Sequence, residues 1–185
     1  MSEESNETPN PETCGHECSG CASASSCSSR APEKLKPNAV SSIDHVVGIV
    51  SGKGGVGKTL ATCLLASELH KKGMSVGILD ADVTGPSIPK SFGVKGPLRG
   101  TETGINPGMS KEGIEIVSTN LMLPEEDMAV AWRGPVLSGI INQFFSEVNW
   151  GHLDYLLVDM PPGTSDIHLT LVQTLAITGA VVVTT

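Results

Sequence analysis

The clearest chemical pattern in the sequence is a segment rich in glycine and lysine, made of Gly52, Lys53, Gly54, Gly55, Val56, Gly57, Lys58 and Thr59. It matches the phosphate-binding loop G-x-x-x-x-G-K-[ST] and carries a second lysine, Lys53, inside it. The glycines let successive backbone N–H groups point at phosphate oxygens. Lys58 supplies a positive charge, and the Thr59 hydroxyl can ligate Mg²⁺. The segment therefore predicts a site for a nucleoside triphosphate with magnesium.

The residues around this loop have the patterns expected of a strand before it and a helix after it. Residues 46–50 form a short apolar run, and residues 60–69 place leucine and alanine at helical spacing. Strand, loop and helix in this order are the context in which phosphate-binding loops occur. Cys63 lies on the predicted helix and is interpreted as a small buried hydrophobic residue, not as a reactive thiol.

Three aspartates follow apolar runs at points where an open α/β sheet places its ligands. Asp80 and Asp82 follow residues 76–79, and Asp159 follows residues 155–158. A single acidic residue at a strand end is usually a turn former or a helix cap. Beside a phosphate-binding loop, however, a carboxylate in the position of Asp159 is the second element that positions the metal ion. The three carboxylates are therefore candidates for holding magnesium or orienting water.

Composition and the order of predicted elements indicate an α/β fold. The 185 residues are 39% hydrophobic but only 3% aromatic, which suits a core of Val, Ile, Leu and Ala. Alternating strands and helices predict a mostly parallel sheet with helices on both faces. A long irregular connection, to which we assign no chemistry, spans residues 93–109. The predicted strands are 45–51, 76–81, 154–159 and 180–184, the helices are 58–72, 135–147 and 166–176, and a short hairpin lies around 105–119.

The charge and hydropathy of the chain disfavour two classes of partner. The formal net charge is -8, so the basic surface expected of a protein that binds nucleic acid or anionic membrane is missing. No apolar run approaches membrane-spanning length, and the acidic N-terminus does not resemble a signal peptide. We therefore expect a cytoplasmic protein without a nucleic-acid or membrane partner.

Residues 1–42 form an acidic, serine-rich tail with almost no large apolar side chains, so burial cannot fold them and we expect disorder. Four of the five cysteines nevertheless lie in this tail, namely Cys14, Cys18, Cys21 and Cys27. In a reducing compartment, four clustered thiolates favour a metal or iron-sulfur centre over disulfides. A 4Fe-4S cluster and zinc both accept four cysteines, and free or regulatory thiols are the remaining alternative. Residues 43–185 are then the nucleotide-binding domain.

Several strings in residues 45–185 resemble the Mrp or ApbC family of iron-sulfur cluster carrier ATPases, which are P-loop NTPases of the deviant Walker A type. These strings are the double-lysine loop and residues 80–87, 132–135 and 159–164. The loop alone would also fit septum-positioning, chromosome-partitioning, arsenite-pump and nitrogenase-reductase ATPases, and the other strings narrow the choice to the carriers. The tail is similar to the N-terminal cluster motif of the eukaryotic cytosolic scaffold branch, where the first cysteine lies farther from the second than Cys14 does from Cys18.

The resemblance implies an ATP-hydrolysing carrier that holds an iron-sulfur cluster and passes it to apo-proteins. It also implies a homodimer in which Lys53 reaches the nucleotide of the partner subunit and acts in catalysis with Lys58 and Asp82. In this interpretation Asp82 orients the attacking water, and Asp80 and Asp159 support magnesium.

The family also carries a downstream Cys-x-x-Cys pair, which the sequence does not reach. Because residues 180–184 form an apolar strand with no partner after it, we expect the domain to be incomplete at its C-terminus. Two alternatives to a carrier remain. One is a nucleotide-switched positioning or partitioning ATPase whose tail holds structural zinc, and the other is an electron-transferring reductase like the nitrogenase iron protein.

Overall fold

The apolar runs of the sequence form the strands of a central sheet in the computed structural model, which describes residues 34–82, 87–122, 134–163 and 166–185. All the described residues belong to one unit, Lys34–Thr185. In chain order the elements are β1 (Ser42–Val50), α1 (Lys58–Lys71), β2 (Val76–Asp80), α2 (Ile88–Phe92), β3 (Gly100–Thr101), β4 (Gly104–Ile105), β5 (Gly108–Met109), β6 (Glu115–Ser118), a 3-10 turn (Thr119–Met122), α3 (Gly134–Glu147), β7 (His152–Asp159), α4 (Asp166–Thr174) and β8 (Gly179–Val182).

The main sheet has six strands in the order β5-β6-β2-β7-β1-β8. The pairs β6–β2, β2–β7, β7–β1 and β1–β8 are parallel, and of the described strands in this sheet only β5 is antiparallel to its neighbour. The strand order places β1, which leads into the glycine-rich loop, beside β7, which ends at Asp159. The carboxyl ends of β1, β2 and β7 therefore meet at one edge of the sheet, and the predicted mostly parallel sheet is confirmed.

Two apolar clusters cover the two faces of the sheet because neighbouring strand residues point to opposite sides. Leu156 packs in one cluster and Leu157 in the other. The first cluster contains Phe144 of α3 and Leu171 of α4, whereas the second contains Ala66 of α1. Helices thus lie on both faces, as predicted, and they hold the strand ends in fixed positions.

Most predicted elements agree with the structure to within a few residues, but the region before α3 differs. The predicted hairpin at 105–119 is present as the antiparallel pair β5–β6, yet β6 also pairs in parallel with β2 and is a full member of the main sheet. The predicted irregular connection 93–109 contains the small antiparallel pair β3–β4. The short helix α2 was not predicted, since its five residues include Pro89 and are too few to show a helical period.

Residues 34–41, which the sequence predicts to be part of the tail, belong to this unit and are hydrogen-bonded within it. The backbone N–H of Leu35 donates to Thr174 O at 2.8 Å, and Asn38 Nδ2 donates to Asn149 Oδ1 at 2.8 Å. The four tail cysteines lie outside the described residues, so their ligand role stays a prediction. No described helix is long and apolar enough to cross a membrane.

Candidate functional site

The glycine-rich loop connects β1 to α1 and lines a pocket of about 310 Å³. Gly55 and Gly57 have φ angles of 78° and 88°, which only glycine adopts without strain. Apart from the glycine itself and its chain neighbours, no protein atom would lie within 4 Å of a Cβ at either position, so the backbone conformation, not packing, requires these glycines. Gly57 is also the residue that precedes the first turn of α1, where unpaired backbone N–H groups and the helix dipole favour an anion.

Asp159 is the centre of the polar network beside this loop. It is 0% exposed at the end of β7, and two threonine hydroxyls of α1 donate to its carboxylate. Thr59 Oγ1 donates to Oδ2 at 2.8 Å, and Thr62 Oγ1 donates to Oδ1 at 2.8 Å. Thr62 was not singled out from the sequence, although a threonine one turn after Lys58, on the face of α1 that turns toward the sheet, was a usable signal.

The Lys58 ammonium group balances the charge of Asp159. Its Nζ lies 2.9 Å from Asp159 Oδ1 and 3.7 Å from Asp82 Oδ2, and the lysine side chain is only 6% exposed. A buried ammonium is costly unless it is paired, so Lys58 needs these carboxylates or another anion. Because Lys58, Thr59 and Asp82 all line the pocket, phosphate oxygens placed there would be within reach of the same ammonium.

Asp80 lies next to Asp159 and is buried as well. The two residues are register partners across β2 and β7, and Asp80 is 1% exposed. Its carboxylate accepts the Ser118 hydroxyl at 3.2 Å and the backbone N–H of Asp82 at 3.1 Å. Burial, followed by repulsion from Asp159, raises the pKa of Asp80 from 3.8 to about 7. Without a metal ion at the site, the Asp80 carboxyl therefore takes up a proton near neutral pH.

The donor set fits a magnesium ion. Mg²⁺ prefers hard oxygen ligands, and the Thr59 hydroxyl and the Asp159 carboxylate provide them beside the pocket. A third polar atom, Ser51 Oγ, is buried without a hydrogen-bond partner among the described residues and lines the same pocket. Thr59 and Asp159 are thus the residues that would hold the ion. Asp80 lies beside Asp159 on the neighbouring strand.

Not all the predicted site residues come together. Lys58, Thr59, Asp80, Asp82 and Asp159 form one connected network, joined by the contacts given above. Lys53 is exposed and does not line the pocket, so its role in the same subunit differs from that of Lys58. Of the loop residues in the prediction, those that line the pocket are Gly54, Gly55, Gly57, Lys58 and Thr59, whereas those that do not are Gly52, Lys53 and Val56.

Two side chains outside the predicted catalytic set, Cys63 and His168, have defined surroundings. Cys63 is partly buried, and burial followed by the charges of Asp159 and Asp80 raises its pKa to about 11, so the thiol is unreactive as predicted. The second side chain is His168 on α4. Its Nε2 lies 2.7 Å from Pro161 O, which ties α4 to the segment that follows Asp159.

Comparisons with known proteins agree on one family. The family model described as ParA, NUBPL iron-transfer P-loop NTPase, matches residues 42–185. An iron-sulfur cluster carrier protein of Clostridium perfringens is 46% identical over 91% of the chain and 62% of its own length. A protein of the same description from Methanocaldococcus jannaschii is 45% identical over 93% of the chain and 62% of its own length.

A solved structure is similar to the chain as well. It is a nucleotide-binding protein from Archaeoglobus fulgidus in complex with ADP, with a TM-score of 0.68 and 42% sequence identity. The match covers 77% of the chain and 55% of that protein. The chain therefore spans less than two thirds of the length of these relatives.

The raised pKa of Asp80 predicts a specific pH dependence of stability. Between about pH 4 and pH 7 the folded protein holds a proton on Asp80 that the unfolded chain releases, so stability falls as pH rises through this range. Asp80→Asn should remove this part of the slope and raise the free energy of unfolding above that of the wild type at pH 8, by on the order of a few kcal/mol. Urea unfolding without magnesium and nucleotide, from pH 5 to 8, measures both.

Glu115→Gln is the matched control, because burial also raises the pKa of Glu115 to about 7. This variant should lose the part of the pH dependence that Glu115 causes and keep the part that Asp80 causes. Parallel profiles for the wild type and Asp80→Asn would contradict a protonated Asp80.

Proposed function

The chain belongs to the ParA family of NUBPL iron-transfer P-loop NTPases, and from this premise we propose that it hydrolyses ATP to control an iron-sulfur cluster that it carries to apo-proteins. The observation that carries the nucleotide part is the joint position of Lys58, Thr59 and Asp159 at one pocket. The relatives named iron-sulfur cluster carrier protein and the neighbour bound to ADP support it.

ATP binding exchanges one set of partners of Lys58 for another. The β- and γ-phosphates take the ammonium group that now pairs with Asp159, while the N–H groups of the loop and of the first turn of α1 bind phosphate oxygens. Thr59 and Asp159 are the residues that would hold magnesium, which would supply positive charge to the phosphates. The Asp159 carboxylate, which now pairs with the Lys58 ammonium, would then be compensated by that ion.

Hydrolysis needs a water molecule aligned with the γ-phosphorus. Asp82 is suited to orient it, because its side chain is 16% exposed, lines the pocket and lies 3.7 Å from Lys58 Nζ. Water attacks the γ-phosphorus, the bond to the bridging oxygen breaks, and ADP and inorganic phosphate are released. Lys58 stabilises the charge of the transition state by electrostatic attraction.

The cluster is the cargo of the proposed reaction cycle. Cys14, Cys18, Cys21 and Cys27 are the proposed ligands of a 4Fe-4S cluster, since four thiolates satisfy its irons. Hydrolysis acts as a timer that changes the conformation of the protein and releases the cluster to an apo-protein. The acidic net charge of -8 fits a cytoplasmic carrier with protein partners and without a nucleic-acid or membrane partner.

We also propose that the active form is a homodimer. Lys53 is exposed on the loop and does not line the pocket of its own subunit. Its side chain can therefore extend toward the nucleotide of a second subunit. A charge supplied across the interface would make hydrolysis depend on dimerisation.

The nucleotide site is tested with two substitutions that should have different effects. Lys58→Ala removes the phosphate-binding charge and should weaken ATP binding by roughly tenfold or more. Asp82→Ala should leave ATP binding nearly intact and slow turnover by roughly 10²-fold or more, as expected for a group that positions water. Calorimetric ATP binding and phosphate release measure the two quantities, with the exposed Lys90→Ala as a control that changes neither.

Equal losses of binding and turnover in Asp82→Ala would instead indicate a metal-holding role for Asp82. Because Lys58→Ala leaves Asp159 without its ion pair, circular dichroism must first show that this variant is folded.

The dimer is tested by mixing subunits. A Lys53→Ala subunit should recover hydrolysis in its own site when a Lys58→Ala partner supplies Lys53, whereas the Lys58→Ala site should stay inactive. Activity of the mixture above that of either variant alone supports transfer of the lysine across the interface. If Lys53→Ala alone hydrolyses ATP at the wild-type rate, Lys53 is only a solvated loop lysine and this part of the proposal is wrong.

The cargo is tested on the tail cysteines. Anaerobic reconstitution with iron and sulfide should give a brown protein with thiolate-to-iron charge-transfer absorption. Changing Cys18 and Cys21 together to Ser should abolish the colour, while Cys63→Ser, which alters the partly buried thiol of α1, should leave it unchanged. Stoichiometric zinc and failure to reconstitute would favour the alternative, a nucleotide-switched positioning ATPase with a structural zinc tail.

A further inference from the structure

Three side chains of the kind that bind metal ions lie together at the end of the sheet opposite the glycine-rich loop. They are Asp44 on β1 and His152 and Asp154 on β7. One nitrogen or oxygen ligand atom from each lies within 4.8 Å of the other two. None of the three belongs to the proposed nucleotide site.

The pairing of β1 with β7 fixes this arrangement. Ser42 is the register partner of His152 and Ile43 that of Leu153, so Asp44 lies level with Asp154. Because alternate residues of a strand share a face, His152 lies on the same side as Asp154 and next to it. The three side chains therefore start from the paired backbone of two inner strands, near the strand ends opposite the glycine-rich loop. Little ordering of the chain is needed to bring them to one ion.

The two carboxylates of this cluster have no lysine or arginine partner in the part of the chain that the structure describes. Asp44 and Asp154 are directly opposite each other, and like charges in that position repel. The only basic group that pairs with either carboxylate among the described residues is His152, whose Nε2 lies 3.9 Å from Asp154 Oδ1. A bound cation would remove the repulsion and use the imidazole as a third ligand.

One carboxylate of the cluster is already held in position. Asp154 Oδ2 accepts the backbone N–H of Ser75 at 2.7 Å, while Oδ1 is the oxygen nearest to His152. Hydrogen bonds of this kind orient a metal-binding carboxylate and raise its affinity for the ion.

A polar pocket of about 360 Å³ begins beside the cluster and has room for the water ligands of an ion. His152 and Ser75 line it together with His70 and Glu115. His70 Nδ1 and Glu115 Oε2 are buried and have no hydrogen-bond partner among the described residues. Buried polar atoms in a polar pocket are usually satisfied by ordered water, so the pocket can supply a hydrated environment for the open side of the ion.

We propose that Asp44, His152 and Asp154 bind one divalent transition-metal ion of the zinc class, with water completing its coordination. One imidazole with two carboxylates suits Zn²⁺ or Co²⁺ better than Mg²⁺ or Ca²⁺, which prefer all-oxygen sites. The ion ties β1, which leads into the glycine-rich loop, to β7, which ends at Asp159. Because the ion binds the folded chain and not the unfolded chain, it stabilises the fold. This effect does not depend on the proposed ATPase activity.

The test uses the full chain with its four tail cysteines changed to Ser, so that thiolates do not compete for the metal. Paramagnetic Co²⁺ is added to ¹⁵N-labelled protein without nucleotide. Saturable broadening should be confined to amides near Asp44, Ser75 and His152. Zn²⁺ should displace Co²⁺ and raise the unfolding temperature. His152→Asn should weaken Co²⁺ binding by about tenfold or more.

His45→Asn is the matched control, because His45 lies on the same strand pair but packs against Tyr155 on the other face, with ring centroids 5.1 Å apart. It should leave Co²⁺ binding within about twofold of the wild type. Asp44→Asn provides a second test if His152→Asn is poorly folded. Broadening that stays non-saturable up to on the order of 1 mM Co²⁺, or that neither variant reduces, would overturn the proposal and show adventitious surface binding only.

Discussion

The carboxylate of Asp159 is fully buried, and the arrangement of the site follows from the need to compensate its charge. An isolated carboxylate in a protein interior is so costly that it normally neutralises or finds partners. Here Lys58, Thr59 and Thr62, all on the first turns of α1, contact its two oxygens. These contacts tie the start of α1 to the end of β7 and keep the glycine-rich loop beside the carboxylates. The phosphate-binding site is thus assembled around one buried carboxylate that needs charge-compensating partners.

The sequence predicted the parts of this site that depend on local spacing. The loop needs glycine at positions 55 and 57 for positive φ, and it needs Lys58 and Thr59 at the start of a helix. Because all these residues lie in one short segment, the sequence pattern alone identifies the loop. Asp159 was predictable because, in a chain with a phosphate-binding loop, an acidic residue directly after an apolar strand indicates the carboxylate that positions the metal ion. The parallel sheet followed from the alternation of strands and helices.

The remaining features depend on which strands become neighbours, and no local pattern encodes that choice. The contact of Ser118 with Asp80 requires β6 to join the main sheet, whereas the sequence indicated only a hairpin there. The cluster of Asp44 with His152 joins residues more than a hundred positions apart and depends on the exact β1–β7 register. A shift of one residue would place the two side chains on opposite faces of the sheet.

The most direct test of the account is a crystal structure of the protein with magnesium and a non-hydrolysable ATP analogue. The account predicts that Lys58 Nζ leaves Asp159 Oδ1, from which it is now 2.9 Å away, and binds phosphate oxygens. The metal should then lie among Thr59, Asp159 and the phosphates. A nucleotide bound elsewhere, with the pair of Lys58 and Asp159 unchanged, would contradict the claim that this buried ion pair is the unliganded form of a phosphate site.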